Sequence, residues 1–114
     1  MNSIKGKFAL VTGGTQGLGA AIAKNFADSG AEGIVTIGRK EDKGNEVAKK
    51  IQDETGCKVI FVKTDLGEVQ ECRNAVSFAK QEFGRLDVLV NAAGITDRGD
   101  TVSYTHLTLP TTGD

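Results

Sequence analysis

The sequence has little of three things that would direct it away from an ordinary globular fold: cysteine, net charge and long apolar runs. Its two cysteines, Cys57 and Cys72, are too few and too far apart for a zinc knuckle or a Cys-x-x-Cys redox pair. A formal net charge of −1 gives no reason to expect nucleic acid or an anionic membrane as a partner. No apolar run approaches the length of a membrane span, and no apolar signal core follows the first lysines, so we expect a cytoplasmic protein.

What the sequence does have is glycine, clustered after one short apolar run. Residues 8–11 read F-A-L-V, and T-G-G-T-Q-G-L-G follows at 12–19, after which apolar residues recur at helical spacing. This pattern predicts a strand, a turn with almost no side chains, and a helix. Such a turn lets backbone N–H groups and the positive end of the helix dipole approach a phosphate. In this context the motif predicts dinucleotide binding rather than an ordinary turn.

The rest of the chain alternates between short β-branched runs and amphipathic stretches. With 114 residues, the chain is long enough for one core and not for two. The βαβαβαβ order predicts an α/β fold: a truncated, doubly wound Rossmann fold whose four-stranded parallel sheet has the order 3-2-1-4, with three helices. We predict strands at 8–12, 34–37, 57–62 and 86–90, and helices from 18 to a close at 28–30, at 42–55 and at 69–83, the last with an inner face of Val69, Cys72, Val76, Ala79 and Phe83.

Three motifs in register resemble the short-chain dehydrogenase/reductase family. They are T-G-G-T-Q-G-L-G at 12–19, Asp65 in T-D-L, and N-A-A-G at 91–94, and the resemblance covers residues 4 to about 99. It implies an NAD(P)-dependent oxidoreductase that reduces carbonyls or oxidises alcohols by hydride transfer. It also implies a small-molecule carbonyl or alcohol substrate, and a full-length protein that is a homotetramer or a homodimer. The 3-oxoacyl-carrier-protein reductases and the broad alcohol/ketone reductases both fit.

The resemblance also assigns cofactor contacts to this chain. The residue that matches Asp65 bonds the adenine ring in the family, and the N-A-A-G segment supports the central strand and lines the ribose on the nicotinamide side. No metal site is implied. The cofactor-binding residues predicted in this way are Gly13, Thr15, Gln16, Gly17, Leu18, Gly19, Arg39, Asp65, Leu66, Asn91, Ala92, Ala93 and Gly94.

The end of the second strand bears on the choice of cofactor. An acidic residue there would bind the ribose 2′-hydroxyl, whereas an arginine accommodates a 2′-phosphate. Gly38 stands where the carboxylate is expected, and Arg39 and Lys40 follow it. Glu41 and Asp42 come next, so a small shift of the boundary would put one of them at the ribose. NADP(H) is favoured, with NAD(H) as the alternative.

The catalytic group of the family does not match this chain. The family uses a serine, a tyrosine and a lysine four residues after the tyrosine, whereas here Tyr104 is followed four residues later by Thr108 and the last lysine is Lys80. Ser103 and His106 beside Tyr104 are too close along the chain to converge as a triad does. We therefore expect residues 1–100 to be the cofactor-binding half of a Rossmann domain, inactive as it stands.

The segment 101–114 departs from the family pattern. The ten codons GTC TCT TAT ACA CAT CTG ACG CTG CCG ACG encode residues 102–111 without a gap, and this string resembles a transposon end and adaptor used in preparing sequencing libraries. We expect a non-native tail translated from such an adaptor. The outer edge of the fourth strand would then be open and unpaired.

Two other classes fit parts of the pattern. A non-catalytic nucleotide-sensing Rossmann protein would keep the crevice and lack the catalytic group. A methyltransferase with an adenosyl cofactor also opens with a strand and a glycine-rich loop, but it requires an acidic residue where this chain has Gly38 and Arg39.

Overall fold

The structure, a computed structural model, describes residues 4–13, 17–92 and 106–108. Every predicted strand and helix is present, and the predicted boundaries differ by a residue or two. The third strand, for example, begins and ends one residue later than predicted. The elements are β1 Phe8–Thr12, α1 Gly17–Asp28, β2 Gly33–Gly38, α2 Glu41–Thr55, β3 Lys58–Lys63, α3 Val69–Phe83, β4 Val88–Asn91 and β5 His106–Thr108.

The sheet has the order β3-β2-β1-β4-β5, and its first four strands are parallel. The predicted order 3-2-1-4 and the truncated Rossmann fold are therefore confirmed. β1 lies at the centre, where Leu10 is in register with Val35 on one side and with Leu89 on the other. All four parallel strands consequently end at the same edge, here called the rim.

The four parallel strands are as predicted, but the expectation that the outer edge of β4 is open and unpaired is wrong. β5 pairs antiparallel with the outer edge of β4, and Leu89 is in register with Leu107. An unpaired strand edge presents a row of N–H and C=O groups that any extended segment within reach can satisfy. The tail supplies such a segment, and motif matching gave no signal for it.

The two faces of the sheet carry different helices. On one face, the α1/α2 face, buried side chains of α1 and α2 pack on Ala9, Val11, Ile34 and Val59. On the other, the α3 face, Ala75 and Ala79 of α3 pack on alternate strand residues. These strand residues are Leu10, Val35 and Ile37.

The predicted inner face of α3 is partly wrong. Ala75 and Ala79 are its buried residues, while Val69 is 67% exposed. Apolar spacing identifies a stripe on a helix but does not say how much of that stripe the sheet can cover. Here the helix meets the sheet through its alanines together with Val76 and Phe83, and of the predicted stripe only Val69, at its amino end, is largely exposed.

α2 approaches β3 closely because Gly44 has no side chain. Gly44 is buried, and a Cβ atom at this position would overlap the ring of Phe61. The close contact lets the phenylalanine ring lie against the helix backbone. The helix ends at Thr55, and Gly56 caps it in the left-handed conformation.

At the edge opposite the rim, Asp87 joins β4 to β1. Its buried carboxylate accepts hydrogen bonds from the backbone N–H of Phe8 at 2.9 Å and from Nε of Arg85 at 3.0 Å. The N–H of Asp87 in turn donates to the carbonyl oxygen of Phe8 at 2.9 Å. The guanidinium of Arg85 lies over the Phe8 ring, 5.4 Å from its centroid. The start of β1 is thereby held beside the start of β4.

Candidate cofactor-binding site

The rim brings the ends of β1 and β4 into direct contact. The hydroxyl of Thr12 donates to Oδ1 of Asn91 at 2.9 Å, and the two residues are also in register in the sheet. The glycine-rich loop and the N-A-A-G segment therefore begin side by side. A ligand that lies across the carboxyl ends of the central strands would meet both.

Gly13 turns the chain out of β1. Its φ of +72° lies in the left-handed region that residues with a side chain rarely adopt, and its N–H donates to the carbonyl oxygen of Ile37 at 2.9 Å. α1 begins at Gly17, and its first turn has no acidic residue. No carboxylate of that turn competes with an anion for the positive end of the helix dipole. Leu18 is 47% exposed, while Gly19 is buried.

The second strand ends in a buried residue followed by an exposed cation. Gly38 is buried and Arg39 is exposed. The N–H of Thr64 donates to the carbonyl oxygen of Gly38 at 2.6 Å, which keeps the end of β3 against the end of β2. Glu41 and Asp42 lie in the first turn of α2, exposed to solvent. The position that would hold a ribose-binding carboxylate has no side chain.

The turn after β3 is held from both sides. Oδ1 of Asp65 accepts a hydrogen bond from the N–H of Gly67 at 2.9 Å, and the N–H of Asp65 donates to Oε1 of Glu71 at 2.7 Å. The N–H of Glu68 donates to the carbonyl oxygen of Asp65 at 2.9 Å. Within the described residues, Oδ2 of Asp65 has no hydrogen-bond partner. One carboxylate oxygen of Asp65 thus fixes the turn, while the other makes no hydrogen bond within the described residues.

Glu71 and Thr12 have roles at the rim that motif matching missed. Glu71 is the third residue of α3, after the N-cap residue Glu68, which is the spacing at which a glutamate reaches back across a helix start. That spacing was a usable signal. Nothing in the sequence indicates the contact of Thr12 with Asn91, because it depends on which strands are neighbours.

Three hollows border α3; one of about 600 Å³ lies at the edge of β3, lined in part by Lys63 and Glu71, and the other two are more apolar. Of these two, the first, of about 380 Å³, extends inward from the rim, and the second, of about 480 Å³, is a groove along the outside of α3. Both are lined mainly by apolar side chains. The first is lined by Leu10, Thr12, Ile37, Leu66, Cys72, Val76, Leu89 and Asn91. The second is lined by Leu66, Val69, Cys72, Arg73, Val76 and Ser77.

Some of the predicted contacts lie outside the described residues. These are Thr15, Gln16, Ala93 and Gly94, whereas Ala92 is described and buried. No helix of the described ranges is long and apolar enough to cross a membrane. In the same ranges, no three His, Cys, Asp or Glu side chains are grouped as metal ligands would be.

Comparison with known proteins decides the family. The sequence model of the family described as short chain dehydrogenase matches residues 7–109. The chain belongs to this family. The resemblance seen in the motifs is thereby confirmed.

Individual relatives show how much of a family member is present. The 3-hydroxyacyl-CoA dehydrogenase type-2 of Drosophila melanogaster is 41% identical over 101 residues, which cover 89% of this chain and 38% of that protein. A solved structure of L-sorbose reductase from Gluconobacter frateurii, complexed with NADPH and L-sorbose, is 34% identical with a TM-score of 0.72, covering 76% of this chain and 33% of that one. A solved structure of a short chain dehydrogenase/reductase from Burkholderia phymatum, in complex with NAD, is 27% identical with a TM-score of 0.73. The match covers 78% of this chain and 31% of that one. The chain spans well under half of each.

Proposed function

We propose that this chain is the cofactor-binding half of an NADP(H)-dependent oxidoreductase that reduces carbonyls or oxidises alcohols. The observation that carries the proposal is the contact of Thr12 with Asn91, because the glycine-rich motif and the N-A-A-G motif start at these two residues, in a chain of the short chain dehydrogenase family. Both relatives with a bound nicotinamide cofactor share the fold of this chain, one with NADPH and one with NAD.

The described residues fit a dinucleotide with a 2′-phosphate. The N–H groups at the start of α1 would hold the pyrophosphate, Oδ2 of Asp65 would accept a hydrogen bond from the adenine amino group, and Asn91 would lie at the ribose on the nicotinamide side. Arg39 would bind the 2′-phosphate, since a guanidinium suits a phosphate and no carboxylate stands at position 38. When bound, the nicotinamide supplies or accepts the hydride.

The rest of the proposal concerns the whole protein. Its substrate would be a small carbonyl compound or alcohol, it would assemble as a homodimer or homotetramer, and it would be cytoplasmic. Two relatives are named for reactions of this kind, a 3-hydroxyacyl-CoA dehydrogenase and an L-sorbose reductase. NADP(H) is proposed over NAD(H) on the strength of Gly38 and Arg39.

We also propose that residues 101–114 are a non-native tail read from adaptor sequence. Residues 102–111 are the ten residues that the adaptor-like string of codons would encode without a gap, which supports this. The family match runs to residue 109, and residues 106–108 pair with β4. An open strand edge accepts any extended segment, so this pairing does not require a selected sequence. Codons other than these ten in the nucleotide record would exclude the proposal.

The experiment that tests the function begins with the gene sequence downstream of residue 100. We expect it to encode a serine and a Tyr-x-x-x-Lys pattern, and we expect the complete protein to oxidise NADPH in the presence of a ketone panel. Loss of NADPH absorbance gives the rate. Failure of the complete protein to bind any nicotinamide nucleotide would overturn the proposal.

A second candidate keeps the same rim and binds the same cofactor without catalysis. A non-catalytic nucleotide sensor would bind the cofactor, show no turnover with any carbonyl compound, and lack the pattern in the complete gene. Binding measured by nicotinamide fluorescence, together with the gene sequence, separates the two.

A further inference from the structure

We propose that Lys63 is a second cation for the 2′-phosphate of the cofactor, beside Arg39, and helps to determine the preference for NADP(H). This inference rests on the proposed function, since it concerns the nucleotide that the rim would bind. The observation behind it is the register of β2 and β3, which places Lys63 directly opposite Gly38.

The register decides which way Lys63 faces. Residues in register on neighbouring parallel strands project from the same face of the sheet, and successive residues of a strand alternate between faces. Val59 and Phe61 of β3 pack on the α1/α2 face, so Lys63 projects from that face as well. α1 lies on the same face, and its first turn follows the glycine-rich loop.

Gly38 leaves the position beside Lys63 without a side chain. A carboxylate at 38 would stand next to the lysine and would pair with it. Instead, Lys63 is exposed and has no ion-pair partner among the described residues. Lys58, at the other end of the same strand, differs in this respect, because its Nζ is 2.9 Å from Oε2 of Glu82.

The charges at this corner of the rim favour a dianion. Arg39, Lys40 and Lys63 are exposed there, and Glu41 and Asp42 in the first turn of α2 oppose them. With Lys43 in the same turn of α2 and Asp65 just after β3 included, four cations face three carboxylates, which leaves an excess of one positive charge. A 2′-phosphate would gain from that excess and from charge-assisted hydrogen bonds, whereas a 2′-hydroxyl would gain little.

The test compares nucleotides that differ only at the 2′ position, in the complete protein. Dissociation constants of 2′,5′-ADP and 5′-AMP are measured by calorimetry, and those of NADPH and NADH by fluorescence. We expect Lys63→Met to weaken binding of 2′,5′-ADP and of NADPH by about 5- to 10-fold, as for a partly screened charge pair. Binding of 5′-AMP and NADH should not change, and Lys63→Arg should keep the wild-type preference.

Lys58→Met is the matched control, because it removes a lysine from the same strand on the other face and away from the rim. It should change none of the four constants. The proposal is overturned if Lys63→Met weakens the phosphorylated and unphosphorylated nucleotides equally, or if only Arg39→Ala lowers affinity for 2′,5′-ADP. If the wild-type protein binds neither NADPH nor NADH, the proposed function itself fails. That outcome differs from the two above, which overturn only the role of Lys63.

Discussion

The two faces of the sheet differ in how completely this chain covers them. The α1/α2 face carries two helices packed on a continuous core, and Ala23 and Ile34 there are fully buried. The α3 face has only α3 in the part of the chain that the structure describes, and both apolar hollows lie on it. The chain spans 38% of its Drosophila relative. We therefore expect the remainder of a family member to complete the α3 face and to leave the α1/α2 face unchanged.

The largest effect should come from supplying the remainder of the protein. The 114-residue chain alone should be poorly soluble and bind an apolar dye, because its α3 face exposes the two hollows. It should show no turnover, because it does not contain the Tyr-x-x-x-Lys pattern of the family. The complete protein should be soluble and should bind the dye weakly. Soluble fraction and dye fluorescence measure this. NADPH-dependent carbonyl reduction by the purified 114-residue chain would contradict it.

On the covered face, adding volume at Gly44 should be strongly destabilising. Gly44→Leu would force the side chain into the Phe61 ring, and overpacking of this kind lowers the free energy of unfolding by about 3 kcal/mol. Denaturant unfolding of the complete protein gives the value. Asn45→Leu, at an exposed position of the same helix, is the control. Equal unfolding midpoints for the two variants would show that α2 is not closely packed on β3.

Asp87 should matter to both faces equally, because it holds the start of β4 beside the start of β1, and both faces share these two strands. Asp87→Ala would leave the N–H of Phe8 without its side-chain partner and Arg85 without its carboxylate, which should lower the free energy of unfolding by about 2 kcal/mol. Asp53→Ala removes an exposed carboxylate paired with Lys49 and should have almost no effect. Similar unfolding curves for both variants would contradict the assigned role.

The two cysteines report on the two faces separately. Burial, with a smaller contribution from the Glu32 carboxylate, raises the pKa of the Cys57 thiol above its ordinary 9.0, so its reactive thiolate is scarce. Because the fold favours the neutral thiol of Cys57, the free energy of unfolding should fall as the pH rises above 9.0.

Cys72 lines both apolar hollows on the other face. In the 114-residue chain it should react with a thiol reagent about tenfold faster than Cys57. In the complete protein, reaction at Cys72 should slow, whereas reaction at Cys57 should not change. Equal rates at Cys72 in the two proteins would show that its face is not covered.

The smallest effect is expected at Val69. In the 114-residue chain this side chain is 67% exposed, so Val69→Ser should change the free energy of unfolding by no more than about 0.5 kcal/mol. If the missing part of the protein covers the groove, the same substitution should be more costly in the complete protein. An identical small effect in both would place Val69 outside the covered area.

The sequence predicted the elements and their order because alternating strands and helices leave few ways to build a parallel sheet. It predicted the sharp turn out of β1 at Gly13, whose backbone conformation few residues other than glycine adopt. The sequence did not predict features that depend on which residues are neighbours in the folded chain. The position of Lys63 opposite Gly38 requires the register, and the exposure of Val69 requires knowing how α3 meets the sheet. The pairing of β5 depends on an edge that the predicted fold left open.

The central position of β1 has a consequence for synthesis of the chain. Phe8 and Asp87 are 79 positions apart, as are Thr12 and Asn91. β2 leaves the ribosome soon after β1, but the other neighbour of β1 follows only after those 79 residues, which takes roughly 4 to 16 s at typical elongation rates. Throughout that interval one edge of the strand that carries the glycine-rich loop has no native partner. Nascent chains of this protein should therefore bind chaperones that recognise extended segments until β4 emerges.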